Sequence, residues 1–407
     1  MKQTIYQVLP RLWRRGKFSD WNDDSFDYLK KLSVDWIWYT GVIRHASGKP
    51  FVKGDIGSPY AIEDYYDVNP YLADNEQDRM GEFESLIKRT HDHGFKAMID
   101  FVPNHVAPSC VNDIPLCGWH DYDWTDTVKI DYGAPAARDK MTEIVLYWAS
   151  KGVDGVRCDM VELVPLDFWR HITAKIKEKH PGFIFLGEAY ELGNYEPYLQ
   201  AGFDLLYDKS GLYDTLKAIS DHRQSANAVT WNWQRLGRMQ PRMLNFLENH
   251  DEQRRAIPSN AAAAVSALFN TAWFMLYFGE EIGEDASDSP DRRTSIFNRA
   301  RMIDPLSPLT KEQKSRLKWW RTILAKARLK AFREGGNWDL QYFQTDINCD
   351  EIFAFLRGDY LVVANFSDSD FTGTIRIPVE AMKKYRPSLR DGIKVSVGAL
   401  DALVIRI

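Results

Sequence analysis

What most constrains this chain is a rhythm in its apolar residues. Eight strand-length apolar runs fall at residues 4–9, 34–39, 96–102, 153–158, 183–187, 203–207, 243–247 and 273–278, and most end in polar residues. Between them lie segments of helical period: Met141, Ile144, Val145 and Trp148 form one stripe, and Leu166, Trp169, Ile172 and Ile176 another that starts at Pro165. A run that is apolar at nearly every position suits a parallel strand, because crossover helices cover both of its faces. Strands alternating with helices are the pattern of βα units. Eight such units predict a closed (β/α)8 barrel, the TIM barrel.

Two stretches interrupt the rhythm. After residue 102 the helical period fails until about residue 130, and an Asp-, Trp- and Pro-rich segment stands where a short loop would be expected. It reads as a short excursion from the barrel top. An amphipathic helix near residues 311–333 is followed by Glu334-Gly335-Gly336-Asn337, and alternating runs at 352–356 and 360–365 then flank Gly358-Asp359 as a hairpin turn. The predicted organisation is therefore a first part of the barrel over 1–101, a short insertion after strand 3 over 102–130, the rest of the barrel over 131–335, and a C-terminal antiparallel β-sandwich domain over 336–407. A length of 407 residues fits two cores better than one.

Charge and hydropathy exclude several functions. A net charge of -5 with no basic stripe gives no footprint for nucleic acid. No apolar run reaches the roughly 18 residues that a membrane helix needs. The N-terminus runs straight into Thr4-Ile5-Tyr6-Gln7-Val8-Leu9 without the basic start and apolar core of a signal peptide, so the expected location is cytoplasmic, or secreted or periplasmic if a leader has been removed. Cys110, Cys117, Cys158 and Cys349 form no disulfide framework, although Cys110 and Cys117 are close enough in sequence to bridge.

The working residues of such a barrel sit where strands end at its C-terminal face. Four segments put conspicuous polar residues there: Asp100-Phe101-Val102-Pro103-Asn104-His105, Gly155-Val156-Arg157-Cys158-Asp159, Leu186-Gly187-Glu188-Ala189, and Phe246-Leu247-Glu248-Asn249-His250-Asp251. They end strands three, four, five and seven. In order and in type they resemble the four motifs of the α-amylase family, glycoside hydrolase family thirteen. The resemblance extends to Tyr60-Ala61-Ile62-Glu63-Asp64-Tyr65-Tyr66, to Gly279-Glu280-Glu281-Ile282-Gly283, and to a C-terminal β domain. It implies Asp159 as nucleophile, Glu188 as general acid and base, and Asp251 as the carboxylate that fixes the sugar and stabilises the transition state. It further implies Tyr60 stacking on the reactive sugar, His105 and His250 donating to its hydroxyls, Arg157 in the sugar site, and Asp100 as structural support.

Chemistry explains the residue types. A retaining glycosidase needs one ionised carboxylate and one protonated carboxyl about 5 Å apart across an oxocarbenium-like state. Arg157 and Asp159, two apart on one strand, share a face, so the guanidinium can hold Asp159 ionised. Glu188, flanked by Gly187 and Ala189, has no cation beside it in sequence, which suits a raised pKa. Trp119, Tyr122 and Trp124 are either sugar platforms or the excursion's own small core.

The chain departs from the family pattern at two places. Met160-Val161-Glu162-Leu163 follows the nucleophile where many members have Ala-x-Lys-His against the leaving sugar, and Ser58-Pro59 replaces His-Gly before Tyr60. Family calcium sites use the position of Asn104, with Asp113, Asp121, Asp123 and Asp126 as available oxygen ligands. No Asp-rich loop follows the first strand, so the expectation is no required cofactor, with calcium as the one ion the resemblance allows.

The expected function is thus hydrolysis, with retention, of α-1,4 bonds in starch-derived glucans or maltooligosaccharides in an open cleft. The alternatives are transglycosylation through the same intermediate, α-1,6 or disaccharide specificity, and a non-catalytic glycan-binding protein. A metal-dependent barrel hydrolase is disfavoured, because Tyr6-Gln7-Val8 stands where the first strand would carry His-x-His, and His91-Asp92-His93 lies on a predicted helix where residues two apart diverge. His91, His93, His171 and His180 read as surface or packing residues. Oligomeric state is left open.

Overall fold

In the computed structural model, which describes residues 1–289, 292–385 and 392–407, eight parallel strands close a barrel in chain order. They are β1 (Thr4–Val8), β2 (Trp36–Tyr39), β3 (Lys96–Phe101), β4 (Gly155–Cys158), β5 (Ile184–Gly187), β6 (Leu205–Tyr207), β7 (Met243–Phe246) and β8 (Trp273–Tyr277). Each lies within a run expected from sequence. β1, β2, β4, β6, β7 and β8 are buried at every position, the condition that made those runs continuously apolar.

The helices form where their stripes and caps predict. Pro135–Ser150 buries Met141, Ile144, Val145 and Trp148 against the barrel, and Leu166–Lys179 buries Trp169, Ile172 and Ile176 directly after Pro165. Asp23–Lys31 begins on Asn22, whose side chain accepts from the Ser25 amide, and carries acids in its first turn and lysines in its last. The helix expected over 311–333 begins with a capping box between Thr310 and Gln313, ends at Ala327, and resumes as Lys330–Arg333.

Three connections at the C-terminal face are long. After β2 the chain forms a hairpin of Ile43–His45 with Ile62–Val68, with residues 46–61 as its loop, an excursion that no apolar run announces. After β3 comes a small hairpin of His105–Val106 with Val128–Lys129, and after β8 a segment runs from Glu280 to the helix at Lys311.

Beyond the barrel, β9 (Asn337–Asp339), β10 (Ile352–Arg357), β11 (Tyr360–Asn365) and β14 (Ala402–Arg406) form a four-stranded antiparallel sheet, and β12 (Phe371–Ile375) pairs with β13 (Ile393–Val397). Arg357 faces Tyr360 across the expected two-residue turn, where Gly358 adopts φ 55°. These strands enclose a second core around Leu340, Leu356, Leu361 and Ile375. Phe269 joins the units, with its ring 5.0 Å from both Phe353 and Phe355. Cys110 and Cys117 are separate thiols. Among the described residues no helix is long and apolar enough to cross a membrane.

Candidate active site

Arg157 organises the mouth of the barrel. It is fully buried on β4, with one terminal nitrogen 2.6 Å from Asp159 Oδ1 and 3.7 Å from Asp100 Oδ1, and the other 2.7 Å from Glu188 Oε2. A buried guanidinium is tolerated only when its charge is matched, and here three carboxyls share it. Glu188 has no cation beside it in sequence, but it meets one in space. Sequence adjacency reports neighbours along one strand, whereas the β4–β5 register sets Arg157 opposite Leu186 and Cys158 opposite Gly187, so the residues that follow, Asp159 and Glu188, emerge side by side.

The two carboxyls are held differently. Asp159 receives a well-formed hydrogen bond from Arg157, whereas the guanidinium nitrogen nearest Glu188 approaches in distance but not in hydrogen-bond geometry. Burial pushes both pKa values up, opposed in both by Arg157; the Asp251 charge pushes both further, and that of Asp159 adds to the rise at Glu188. Arg157 favours the ionised form of Asp159 as expected, by charge and by hydrogen bond, but burial is the larger influence and leaves the pKa above the ordinary carboxylate value. Glu188 Oε2 accepts from the Met160 amide at 2.9 Å, and Oε1 accepts from the Tyr190 hydroxyl at 2.8 Å. Asp251 is more open, with 49% of its side chain exposed and Oδ2 3.2 Å from His250 Nε2.

His250 is fixed by its partners. The Gln7 amide nitrogen donates to Thr40 Oγ1 at 3.0 Å and lies 2.9 Å from His250 Nδ1, so Nδ1 accepts and Nε2 carries the proton toward Tyr60 Oη at 2.7 Å and Asp251. Burial first, and then Arg157, lower its pKa to about 3, so it is neutral. Tyr60 stacks on this ring at 5.2 Å and its hydroxyl reaches Asp100 Oδ1 at 3.4 Å. Asp100 Oδ2 accepts from the Gly41 amide at 3.0 Å, and burial pushes its pKa to about 7. His105, with a pKa lowered by burial to about 4, faces the Asn104 amide nitrogen through Nδ1 at 3.1 Å, leaving Nε2 as its protonated nitrogen.

All three carboxylates, Tyr60, His105 and His250 line one cavity of about 180 Å3, with Arg157 and Asp100 buried beneath it. Gln7, Tyr190 and Lys53 were not singled out from sequence. Gln7 carried a signal, as the one amide on an otherwise apolar first strand; nothing local marks Tyr190 or Lys53. Trp124 lines the cavity against His105 at 5.2 Å, whereas Trp119 and Tyr122 are exposed. Loops after β2, β3 and β8 supply Lys53, Asp126 and Phe297 to the wall. A larger recess of about 620 Å3, lined by Glu284, Arg293 and Arg301 among others, holds none of the trio.

The run after the nucleophile has turned to a different task. Met160 adopts φ 42°, which aims its amide at Glu188. The Glu162 carboxylate accepts from the amides of Tyr190 at 3.0 Å and Glu191 at 3.1 Å and from Asn194 Nδ2 at 3.0 Å, and so braces the loop after β5.

Around Asn104, the position the family uses for calcium, the side-chain Oδ1 is buried without a hydrogen-bond partner, but the acidic neighbour is already matched by a protein cation. The Asn104 amide nitrogen donates to Asp121 Oδ2 at 2.8 Å, and the Lys129 ammonium sits 3.0 and 2.9 Å from the two Asp121 oxygens, supplying the positive charge itself. Asp126 faces the cavity, Asp113 and Asp123 are exposed, and among the described residues no three His, Cys, Asp or Glu side chains cluster as metal ligands. His91 and His93 diverge as expected, to Asp154 and Asp23.

Residues 7–112 and 120–343 match the model for the alpha amylase catalytic domain, and residues 343–400 match that for the alpha amylase C-terminal all-beta domain. Alpha-amylase MalA of Haloarcula japonica is 30% identical over 293 residues, covering 64% of this chain and 41% of that protein. A cyclomaltodextrinase of Thermoanaerobacter pseudethanolicus is 24% identical over 357 residues, covering 72% of this chain and 59% of its own length. The chain thus spans about half the length of these curated relatives. An alpha-amylase structure from Lactobacillus plantarum superposes with a TM-score of 0.77 at 22% identity, covering 100% of this chain and 98% of that one, a likeness of fold.

Proposed function

The chain belongs to the α-amylase family, and from that premise we propose that it hydrolyses α-1,4-glucosidic bonds of maltooligosaccharides with retention of configuration. The observation that carries the reading is Arg157, one guanidinium in contact with both Asp159 and Glu188. Two carboxyls gathered on a single guanidinium support the short separation that retaining enzymes use, roughly 5 Å, over the wider one of inverting enzymes.

In the first step the Asp159 carboxylate attacks C1 of the sugar while Glu188 gives its proton to the glycosidic oxygen. The C1–O bond breaks, the shortened sugar departs, and a glycosyl ester forms on Asp159. Water then gives a proton to Glu188 as its oxygen attacks C1, and the ester bond breaks to regenerate the carboxylate. Asp251, with His250 beside it, holds the sugar hydroxyls while positive charge develops on the ring. The names of the amylase and cyclomaltodextrinase relatives support an α-glucan substrate.

Incubation with 5-fluoro-α-glucosyl fluoride followed by peptide mass spectrometry tests this. A fluoroglucosyl adduct on Asp159 is expected, together with a loss of activity of about 10²–10⁴-fold in Glu188→Gln. An active enzyme with no adduct and β-anomeric first products would refute retention, and products longer than the starting sugar would replace hydrolysis with transfer.

A further inference from the structure

Asp126, on the excursion after β3, lines the cavity while only 2% exposed, and its Oδ2 has no hydrogen-bond partner among the described residues. The chemistry above does not use it. Its Oδ1 lies 3.6 Å from the Lys53 ammonium, which lines the same cavity from the loop after β2. A buried carboxylate oxygen without a donor is costly, so its survival at a cavity wall points to a donor that arrives with the ligand.

The loop that carries Lys53 is tied to the loop after β8. The Asp55 amide donates to Asn298 Oδ1 at 3.0 Å and the Ile56 amide to the Phe297 carbonyl at 3.2 Å. At Gly54, φ is 67° and a Cβ would meet that carbonyl oxygen at 2.3 Å, so only glycine permits the close approach. The loops after β2, β3 and β8 therefore close one end of the cavity. The cavity they border has a volume of about 180 Å3.

We propose that Asp126 and Lys53 form the closed end of the sugar subsite, binding hydroxyls on the edge of a terminal pyranose remote from the scissile bond, and so direct the enzyme to chain ends, one glucose at a time. This rests on the glycosidase reading. Glu188 addresses the oxygen on C1, and the C4 and C6 hydroxyls lie across the ring. Asp126 and Lys53 come from loops two and three strands round the barrel from β5. The carboxylate accepts from one hydroxyl and the ammonium donates to it or its neighbour, both as charge-assisted hydrogen bonds. A chain continuing from C4 would have to pass where the ion pair stands. Loss of such a hydroxyl leaves a buried charge unpaired, the circumstance in which sites discriminate most.

Reducing-end-labelled maltoheptaose, with 4-deoxy and 6-deoxy analogues of p-nitrophenyl α-glucoside, provides the test in wild type, Asp126→Asn and Lys53→Met, each checked by thermal unfolding. Labelled maltohexaose is expected as the first wild-type product, with a tenfold or greater penalty in kcat/KM for at least one deoxy analogue. In the variants KM should rise about tenfold and that penalty should shrink below threefold. Should Asp126→Asn fail to fold, Lys53→Met carries the same test. Internal cleavage by the wild type, or undiminished discrimination in the folded variants, overturns the inference and leaves hydrolysis standing. A wild type that releases no sugar from any α-glucan removes the glycosidase reading as well.

Discussion

Glu188 shows how much a single carboxyl depends on groups remote in the chain. Burial raises its pKa, as a proton donor requires, while the Met160 amide and the Tyr190 hydroxyl donate to its oxygens and favour the ionised form. Tyr190→Phe removes one donor from the ionised carboxylate, so the pKa of Glu188 should rise. The alkaline limb of the kcat/KM profile, where the acid loses its proton, should move to higher pH by about one unit, the worth of one hydrogen bond to a charged group. A fall in activity with an unmoved limb would make Tyr190 merely structural. The trio was legible because strand ends are where barrel chemistry sits; Tyr190 was not, because a tyrosine two residues past a strand has no local feature that reveals where its hydroxyl points.

At the scale of elements, the excursion after β3 was legible in place and extent but not in internal wiring. Its aspartates suggested calcium ligands, yet Lys129 lies across the hairpin from His105 and neutralises Asp121, while Asp126 turns to the cavity. Spacing cannot show this, since the ammonium and carboxylate meet only once the hairpin forms. Chelation with EDTA should leave Tm and activity unchanged. Lys129→Met should lower Tm by several degrees, consistent with about 1–3 kcal/mol for a part-buried carboxylate losing its cation. A Tm that drops with EDTA and recovers with Ca2+ would restore the metal. The excursion after β2 went unread because residues 46–61 carry no apolar period, although they supply both Lys53 and Tyr60 to the site.

At the scale of the molecule, Asp100 couples barrel closure to stability. It ties β3 to Gly41 and Tyr60, and burial pushes its pKa to about 7, against about 3.9 in an unfolded chain. Between those values the folded state holds a proton that the unfolded state lacks. This contribution is therefore fully present below about pH 4 and lost as pH rises to about 7. Urea denaturation of wild type and Asp100→Asn between pH 8 and 4 should show the wild type gaining on the variant as pH falls, by up to about 4 kcal/mol. A pH-independent difference would place the carboxyl near its ordinary pKa. By itself the sequence determined the eight strands, their order, the helices between them and the carboxyls at their ends, because apolar period, capping and turn chemistry act over a few residues. It took the packed barrel to show that Gln7 sets the proton of His250, that Arg157 serves three carboxyls, and that Lys53 meets Asp126 at the cavity wall. Those partners come together when the barrel closes and its loops pack, and no periodicity along the chain records a contact made across it.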